Sequence, residues 1–227
     1  MKLLLFDLDG TILHARHTPG QVPFDLAMRD TFEVDVELAR MRPDGKTDPA
    51  IVAEMCAALA VVPGETEAFA RAYLDALSAE MARPDRRRRI LPGVEALLEA
   101  LSLRPHVHLG LVTGNVEAGA RAKLAPFGLN PCFPTGGFGS DHPDRREVAR
   151  RAAARVALHA GIPVESSRVV VVGDTELDVD CARFNGFRAV AVLTGWATEA
   201  ALRAAGPDVL LSDLGDLADA LEALGLA

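Results

Sequence analysis

The sequence predicts an α/β fold in which a doubly wound parallel sheet carries an inserted helical module. Short, continuously apolar runs such as Leu3–Phe6 and Val169–Val172 are typical of strands buried on both faces of a parallel sheet. Over most of the chain such runs alternate with segments of helical periodicity, as in βα units joined by right-handed crossovers. We therefore predict a core formed by residues 1–13 and 90–227, with residues 14–89 inserted as an α-helical cap domain.

The cap carries helix candidates with apolar residues at helical spacing and no strand-like run between them. These candidates cover Phe24–Phe32, Pro49–Ala60 and Glu65–Met81. Asp48 followed by Pro49 is typical of an N-cap with proline at the first helical position. The preceding residues Asp44, Gly45 and Lys46 are predicted to form a turn, which is a candidate contact loop.

In the core, strands and helices are expected to alternate from residue 90 onward. Predicted helices cover Val94–Leu101, Val116–Ala125, Arg145–His159, Glu176–Phe184 and Glu199–Ala204, with a final helix from Leu214. Predicted strands cover Val107–Val112, a short segment near Cys132, Val169–Val172, Ala189–Leu193 and Val209–Leu211. The stretch Gly136–Gly139 lacks the spacing of a phosphate-binding loop and is predicted to be a turn.

Composition and charge exclude several classes of protein. The 227 residues include 24 Lys and Arg against 32 Asp and Glu, and this net charge of −8 argues against nucleic-acid binding, which requires a basic surface. Cys56, Cys132 and Cys181 are odd in number and far apart, so neither a disulfide framework nor a zinc site is indicated. No apolar run is long enough for a signal peptide or a membrane span, and we expect a cytoplasmic protein without a membrane partner.

Two carboxylates directly follow the first predicted strand. Asp7 and Asp9 stand two residues apart in the segment DLDGT, and the alternation of side chains in an extended chain directs both to the same side. Neighbouring carboxylates repel each other, and a magnesium ion would balance their charge. One carboxylate can then act as a nucleophile while the other transfers protons. The plainer interpretation is a turn with solvated acids.

Candidate anion-binding groups follow the next core strand and begin a later helix. Thr113, Gly114 and Asn115 offer a hydroxyl, a flexible glycine and backbone N–H groups, although Thr113 alone is more typical of an ordinary helix N-cap. Arg145 and Arg146 begin a predicted helix, where an arginine opposes the helix dipole unless an anion lies close. Simple solvation is the plainer alternative for either arginine.

A second pair of acids follows the strand Val169–Val172. Asp174 leaves the end of this strand and Asp178 lies one turn into the next helix, so both can approach the same point. With Asp7 they form a shell of hard oxygen ligands, which suits Mg²⁺ and is poor for zinc or copper. Asp178 alone could instead stabilise the helix N-terminus electrostatically.

In order, spacing and position at strand ends, these residues resemble the haloacid dehalogenase superfamily of aspartyl-phosphate hydrolases over nearly the whole chain. DLDGT is similar to the first motif of that superfamily, Thr113 to the second, a cation near Arg145 to the third, and Asp174 with Asp178 to the fourth. The cap resembles that of the phosphoglycolate phosphatase and β-phosphoglucomutase branch. Its Gly45–Asp48 turn is similar to a cap loop that reaches the active site.

The resemblance implies a Mg²⁺-dependent phosphatase acting on a small phosphomonoester such as 2-phosphoglycolate. It implies that Asp7 is the nucleophile and Asp9 the general acid and base. The implied metal ligands are Asp7, Asp9 through its backbone carbonyl, Asp174 and Asp178. The implied phosphate- and substrate-binding residues are Thr113, Gly114, Asn115, Arg145 and, in the cap, Lys46.

The third motif departs from the pattern of the family. It commonly carries a lysine, often followed by proline, whereas this chain has no lysine after Lys123. Arginine is permanently charged and binds phosphate through two parallel donors, so it can replace the lysine. We assign Arg145 rather than Arg146 to this role.

Other activities of the superfamily stay open from the sequence. Hexose-phosphate mutases retain both first-motif aspartates and differ in how cap closure protects the phosphoenzyme from water. Dehalogenases and phosphonatases lack the acid two residues after the nucleophile, so Asp9 argues against both, although Lys46 resembles the cap lysine of a phosphonatase. A catalytically silent binding protein is disfavoured because all the carboxylates are present. The sequence does not indicate the oligomeric state or the pathway.

Overall fold

A computed structural model describes residues 1–15, 20–38, 45–59 and 66–227. The strands are β1 (Lys2–Phe6), β2 (Val107–Val112), β3 (Gly136–Gly137), β4 (Val169–Gly173), β5 (Arg188–Val192) and β6 (Val209–Leu211). They form one six-stranded sheet in the order β3-β2-β1-β4-β5-β6, with every neighbouring pair parallel. The predicted doubly wound parallel sheet is thereby confirmed. The chain winds outward from β1 in both directions, so the carboxyl ends of β1 and β4 flank the topological switch point, where ligand crevices form in such folds.

The helices agree with the predicted ones to within a few residues. They are α1 (Gln21–Phe32), α2 (Asp48–Ala58), α3 (Thr66–Ala82), α4 (Val94–Ser102), α5 (Glu117–Leu124), α6 (Arg145–Ala160), α7 (Glu176–Phe184), α8 (Glu199–Ala205) and α9 (Leu217–Ala223). The final helix begins later than predicted because Asp216 accepts hydrogen bonds from the N–H groups of Ala218 and Asp219 and caps it. Asp44 of the predicted turn, and the predicted helix ends at Ala60 and Glu65, lie outside the described residues. No described helix combines the length and the apolar character needed to cross a membrane.

The alternation of side chains along the strands divides the core into two layers. Leu4 and Phe6 of β1 belong to the layer covered by α4, α5 and α9. Leu3 and Leu5 belong to the opposite layer, which is covered by α6, α7 and α8. Both faces of the sheet are therefore buried, which explains why the strands are continuously apolar in sequence.

A third apolar cluster joins α1, α2 and α3 and includes no strand residue. Phe24 of α1 meets Phe69 of α3 edge to face, with ring centroids 5.0 Å apart, a favourable geometry for aromatic pairs. Val116, the N-cap of α5, and Ala122 within α5 pack against this cluster from the core. A separate cluster is what the predicted cap requires, while the boundaries of that domain, residues 14–89, stay a prediction.

Two sequence predictions about the edge of the sheet are wrong. The segment near Cys132 is a short 3₁₀ helix, Asn130–Cys132, and not a strand. The edge strand is formed instead by Gly136 and Gly137, which were predicted to lie in a turn. A Cβ on Gly137 would overlap the Val148 carbonyl oxygen of α6. This strand therefore consists of glycines for steric reasons and carries no apolar signal that sequence reasoning could detect.

The start of α4 yields a stability prediction. Gly93 has φ +80°, and a Cβ at this position would overlap the backbone carbonyl of Leu214. Gly93→Ala is expected to lower the free energy of unfolding by roughly 3 kcal/mol, because the left-handed conformation costs an L-residue about 1–2 kcal/mol and the backbone clash adds to it. Urea-induced unfolding followed by circular dichroism measures this loss.

The matched control for this variant is Gly128→Ala. Gly128 has a similar φ of +67°, but a Cβ there would meet no atom within 4 Å. The free energy of unfolding of this variant should fall by only about 1 kcal/mol, the cost of the left-handed conformation without a clash. Equal losses in the two variants would show that the approach of Leu214 to Gly93 contributes nothing.

Candidate active site

The candidate site lies at the carboxyl ends of β1, β2 and β4, where the cap faces the sheet. Asp7 directly follows β1, Thr113 follows β2, Asp174 follows β4, and Arg145 is the first residue of α6. These residues line one cavity of about 120 Å³, together with Asp9, Gly114, Asn115 and Lys46. Parallel strands end at the same edge of the sheet, which brings together residues that lie far apart in sequence.

Two residues that line the cavity, Asp7 and Asp174, belong to a buried acidic triad with Asp178. Carboxylate oxygens of Asp7, Asp174 and Asp178 lie within 4.8 Å of one another, and all three residues are buried. Burial raises the pKa of Asp7 to about 7, helped by the neighbouring charges of Asp178 and Asp9 and opposed by Arg145. Burial and the charge of Asp7 also raise the pKa of Asp174. Burial thus disfavours the charged forms of Asp7 and Asp174, and the neighbouring carboxylates add to this effect.

Asp178 has two roles in the structure. Its Oδ2 accepts hydrogen bonds from the backbone N–H of Thr175 at 3.0 Å and from the Thr175 hydroxyl at 2.6 Å, which forms a capping box at the start of α7. Its Oδ1 faces Arg145 at 2.5 Å. Asp178 therefore caps α7 and also lies beside Asp7 and Asp174, while its role as a metal ligand stays a prediction.

Arg145 is the cation that reaches the triad. Its Nη2 donates to Asp7 Oδ1 at 2.7 Å and to Asp178 Oδ1 at 2.5 Å, and its Nη1 donates to the Gly45 carbonyl at 2.8 Å. Although burial disfavours its charge, the carboxylates of Asp178 and Asp7 raise the pKa of Arg145 above its usual value. Its buried Nε has no hydrogen-bond partner among the described residues.

Arg146, the alternative candidate, lies at the surface. Its Nε and Nη2 donate to Asp180 at 2.7 and 2.9 Å, and its guanidinium stacks over the Phe184 ring at 4.7 Å. The side chain is 42% exposed, against 6% for Arg145. The structure therefore separates two residues that sequence reasoning could only rank.

Asp9 faces a different group of partners from Asp7. Its Oδ2 accepts hydrogen bonds from Lys123 Nζ at 2.6 Å and from Asn115 Nδ2 at 2.8 Å. Lys123 Nζ also donates to Asn115 Oδ1 at 2.7 Å, so the three side chains form a closed ring. The side chain of Asp9 is not part of the acidic triad; of the predicted metal ligands, it is the one whose carboxylate lies apart.

Thr113 and Gly114 do not occupy the start of a helix. α5 begins at Glu117 with Val116 as its N-cap, so the N-cap interpretation of Thr113 is wrong. The Thr113 hydroxyl oxygen instead accepts hydrogen bonds from the backbone and side-chain amides of Asn115, at 3.3 and 2.8 Å. Gly114 lacks a Cβ where one would overlap the Lys46 carbonyl, so this glycine lets the cap loop approach the core.

The cap loop is held on the core through its backbone and polar side chains. Asp48 donates its N–H to the Gly114 carbonyl at 2.8 Å, and its Oδ2 accepts from the Val116 N–H at 2.9 Å. Burial raises the pKa of Asp48 to about 6. The N-cap of α2 is Thr47 and not Asp48 as predicted, because the Thr47 hydroxyl accepts from the Ala50 N–H. Lys46 lines the cavity and forms an ion pair with Glu54 at 2.6 Å.

Lys123, Tyr73 and Trp196 also line the cavity but were not assigned to it from the sequence. A signal for Lys123 existed, since it lies on the same face of α5 as the buried residue Ala120, where a lysine is out of place. Trp196 approaches through its backbone N–H, 3.3 Å from Asp174 Oδ2. Tyr73 comes from the cap helix α3, and no sequence pattern connects a cap tyrosine with these strand ends.

The donor set of the triad fits a hard divalent cation. Mg²⁺ prefers carboxylate oxygens, and Asp7, Asp174 and Asp178 offer such oxygens within 4.8 Å of one another. Burial and neighbouring carboxylates raise the pKa values of Asp7 and Asp174, and a bound cation would stabilise their charged forms. No cysteine or histidine belongs to this group, which argues against a soft-metal site.

Comparison with known proteins connects this geometry with a family. The family model of haloacid dehalogenase-like hydrolases matches residues 4–183. A phosphoglycolate phosphatase of Rhodospirillum rubrum is 32% identical over 205 residues, which cover 87% of this chain and 82% of that protein. A hydrolase from Pseudomonas syringae has the same fold, with a TM-score of 0.76 at 20% identity over 98% of both chains. CbbY from Rhodobacter sphaeroides, solved with phosphate, gives a TM-score of 0.72 at 22% identity over 99% of both chains. With its first-motif aspartates at the end of β1 and a family match over most of its length, the chain belongs to the haloacid dehalogenase-like hydrolases.

Proposed function

We propose that the protein is a Mg²⁺-dependent phosphatase that hydrolyses a small phosphomonoester through a phosphoryl group carried on Asp7. The observation that carries the proposal is the buried cluster in which Asp7 meets Arg145, Asp174 and Asp178, with Asp9 lining the same cavity. The relative from Rhodospirillum rubrum is named a phosphoglycolate phosphatase. This name supports the reaction class and makes 2-phosphoglycolate the first substrate to test.

In the first half of the proposed reaction, a carboxylate oxygen of Asp7 attacks the phosphorus of the ester. The bond between phosphorus and the alcohol oxygen breaks, and Asp9 gives its proton to the departing oxygen. Arg145 and the Thr113 hydroxyl donate hydrogen bonds to the phosphoryl oxygens. Such donors are most effective in a buried site, because they are already oriented and are poorly screened by water.

In the second half, water attacks the phosphorus of the phosphorylated Asp7. Asp9 takes a proton from that water, and the bond between phosphorus and the Asp7 oxygen breaks to release phosphate and restore the carboxylate. The cap loop contributes Lys46 and Asp48 to the lining of the cavity, and the Asp48 N–H is hydrogen bonded to the Gly114 carbonyl. In the proposed reaction this loop limits the access of bulk water during the first half.

The metal ligands of the proposal are the side chains of Asp7, Asp174 and Asp178 and the backbone carbonyl of Asp9. When bound, Mg²⁺ supplies the positive charge that balances these carboxylates and the phosphoryl oxygens. Arg145 brings one positive charge to the three carboxylates of the triad, and the metal ion would add the charge needed to bind a phosphate ester.

The test is phosphate release from a panel of phosphomonoesters that includes 2-phosphoglycolate, sugar phosphates and nucleoside monophosphates. We expect phosphate release in the presence of Mg²⁺. Release should stop when EDTA is added and should return when Mg²⁺ is then added in excess. A sugar phosphate converted to an isomer without phosphate release would instead favour a mutase. No turnover of any ester would contradict the proposal.

Metal binding can also be measured without turnover. Mg²⁺ at about ten times its dissociation constant is expected to stabilise the protein by roughly 1.4 kcal/mol, which corresponds to a melting temperature about 3–5 °C higher. In Asp174→Asn this rise should largely disappear, because a buried triad ligand is lost. Asp216→Asn is the matched control, since Asp216 caps α9 and asparagine caps a helix equally well. An undiminished rise in Asp174→Asn would exclude Asp174 as a ligand.

A further inference from the structure

A lysine lies buried beside the proton-transfer carboxylate, in a place where the proposed reaction does not use it. The side chain of Lys123 is 5% exposed, and its ammonium group is held between Asp9 and Asn115 at 2.6 and 2.7 Å. A buried ammonium group is costly unless it is paired and hydrogen bonded. Helix α5 directs this lysine into the cavity and not into solvent. The hydrogen bonds of Lys123 to Asp9 and Asn115 therefore call for a functional explanation.

Lys123 fixes the orientation of the Asn115 amide. An ammonium group has hydrogen-bond donors and no acceptor, so only the oxygen of the amide can face it. With Oδ1 directed to Lys123, Nδ2 is directed to Asp9 at 2.8 Å and to Thr113 at 2.8 Å. The lysine therefore determines which way a second donor to Asp9 points.

Both donors converge on the same oxygen of Asp9. Lys123 Nζ and Asn115 Nδ2 both donate to Oδ2, and no hydrogen bond from the described residues to Oδ1 is found. An oxygen that already accepts from an ammonium and an amide is poorly placed to donate a proton. The other oxygen, Oδ1, is the atom left to exchange a proton with a ligand in the cavity that Asp9 lines.

We propose that Lys123 is a positioning residue that, with Asn115, anchors Oδ2 of Asp9 and so presents Oδ1 to the leaving group and to the attacking water. This inference rests on the proposed phosphatase function. Lys123 acts through Asp9 and Asn115 and does not itself bind the phosphoryl group. The positive charge of Lys123 also acts on Asp48 of the cap. Burial raises the pKa of Asp48, and the charge of Lys123 opposes this rise.

The test uses substrates that differ in their need for a proton. When the bond between phosphorus and oxygen breaks in an alkyl phosphate such as 2-phosphoglycolate, the leaving group is a strongly basic alkoxide that requires the proton of Asp9. The leaving group of p-nitrophenyl phosphate, p-nitrophenolate, is weakly basic and departs without a proton. In Lys123→Met, kcat for 2-phosphoglycolate is expected to fall roughly a hundredfold, at the lower end of what general acid–base catalysis contributes, with KM changed less than about threefold. The first burst of p-nitrophenol from p-nitrophenyl phosphate should stay within about fivefold of wild type.

Two further variants complete the design. Lys2→Met is the matched control, because Lys2 is a partly buried lysine at the opposite end of β1 that donates to the Leu224 carbonyl at 2.6 Å; it should leave both activities unchanged. In an Asp9→Asn background, Lys123→Met should cause no additional loss of kcat, since residues that act as a unit are not additive. If Lys123→Met does not fold, Asn115→Ala breaks the same ring from the other side and should give the same dependence on the leaving group.

Several results would overturn the inference. Equal losses of the burst with p-nitrophenyl phosphate and of kcat with 2-phosphoglycolate would indicate a general structural role. A raised KM with unchanged kcat would make Lys123 a substrate-binding residue. A full additional loss in the Asp9→Asn background would show that Lys123 does not act through Asp9. A wild-type protein without any turnover would instead overturn the proposed function, and the inference with it.

Discussion

Asp7→Asn is expected to reduce phosphate release by roughly a thousandfold or more, because the amide cannot replace the carboxylate as a nucleophile. Asn has nearly the same shape as Asp, and its oxygen can still accept from Arg145 Nη2, which donates to Asp7 Oδ1 at 2.7 Å in the wild type. The measurement is steady-state phosphate release from the best substrate of the panel, with saturating Mg²⁺.

The stability of this variant separates a loss of chemistry from a loss of fold. The pKa of Asp7 is raised to about 7 in the folded protein, chiefly by burial. An ionised Asp7 therefore costs folding free energy near neutral pH, and a neutral amide avoids this cost. The melting temperature of metal-free Asp7→Asn is expected to equal or exceed that of the wild type.

Asp216→Asn serves as the control for the same chemical change at a surface helix cap, and it should keep wild-type activity. If Asp7→Asn retained activity within about tenfold of wild type, Asp7 would not be the nucleophile. The phosphoryl group would then have to be transferred directly to water.

Arg145→Ala is expected to lower kcat/KM by roughly a hundredfold to a thousandfold, the cost of removing one oriented donor from a buried site. It should also destabilise the metal-free protein by about 3 kcal/mol, because Asp7 and Asp178 lose their buried partner. Arg145→Lys keeps the charge but loses the planar pair of donors, so an intermediate loss of kcat/KM is expected. Steady-state kinetics and thermal melting measure the two effects.

Arg146→Ala provides the comparison on the next residue of the same helix. Its partner Asp180 is 42% exposed in its side chain, as is Arg146 itself, and exposed ion pairs contribute at most about 1 kcal/mol. Since Arg146 is also not among the residues that line the cavity, activity should stay within about fivefold of wild type. The reverse ranking of the two variants would move the phosphate-binding role from Arg145 to Arg146.

The apolar runs in the sequence determined the strands of the sheet and the place of the carboxylates that follow them. Continuous apolar runs of four to six residues identify strands buried on both faces, and a carboxylate at the end of such a strand must lie at the ligand edge of a parallel sheet. Asp7 and Asp174 could be brought together by this reasoning alone. The β3 strand escaped it because its glycines carry no apolar pattern.

The tertiary structure alone decided which neighbouring side chains enter the site. Arg145 and Arg146 are adjacent in sequence and equally basic, and only the packing of α6 on the sheet buries the first against Asp178 and leaves the second beside Asp180. Lys123 contacts Asp9, 114 residues away in the chain, because α5 belongs to the same apolar layer as β1 and also packs against the cap cluster. Local sequence determines where strands and helices end, through side-chain periodicity and backbone hydrogen bonding. Contacts between elements depend on how whole helices are rotated on the sheet, and that rotation is set by the packing of many side chains together.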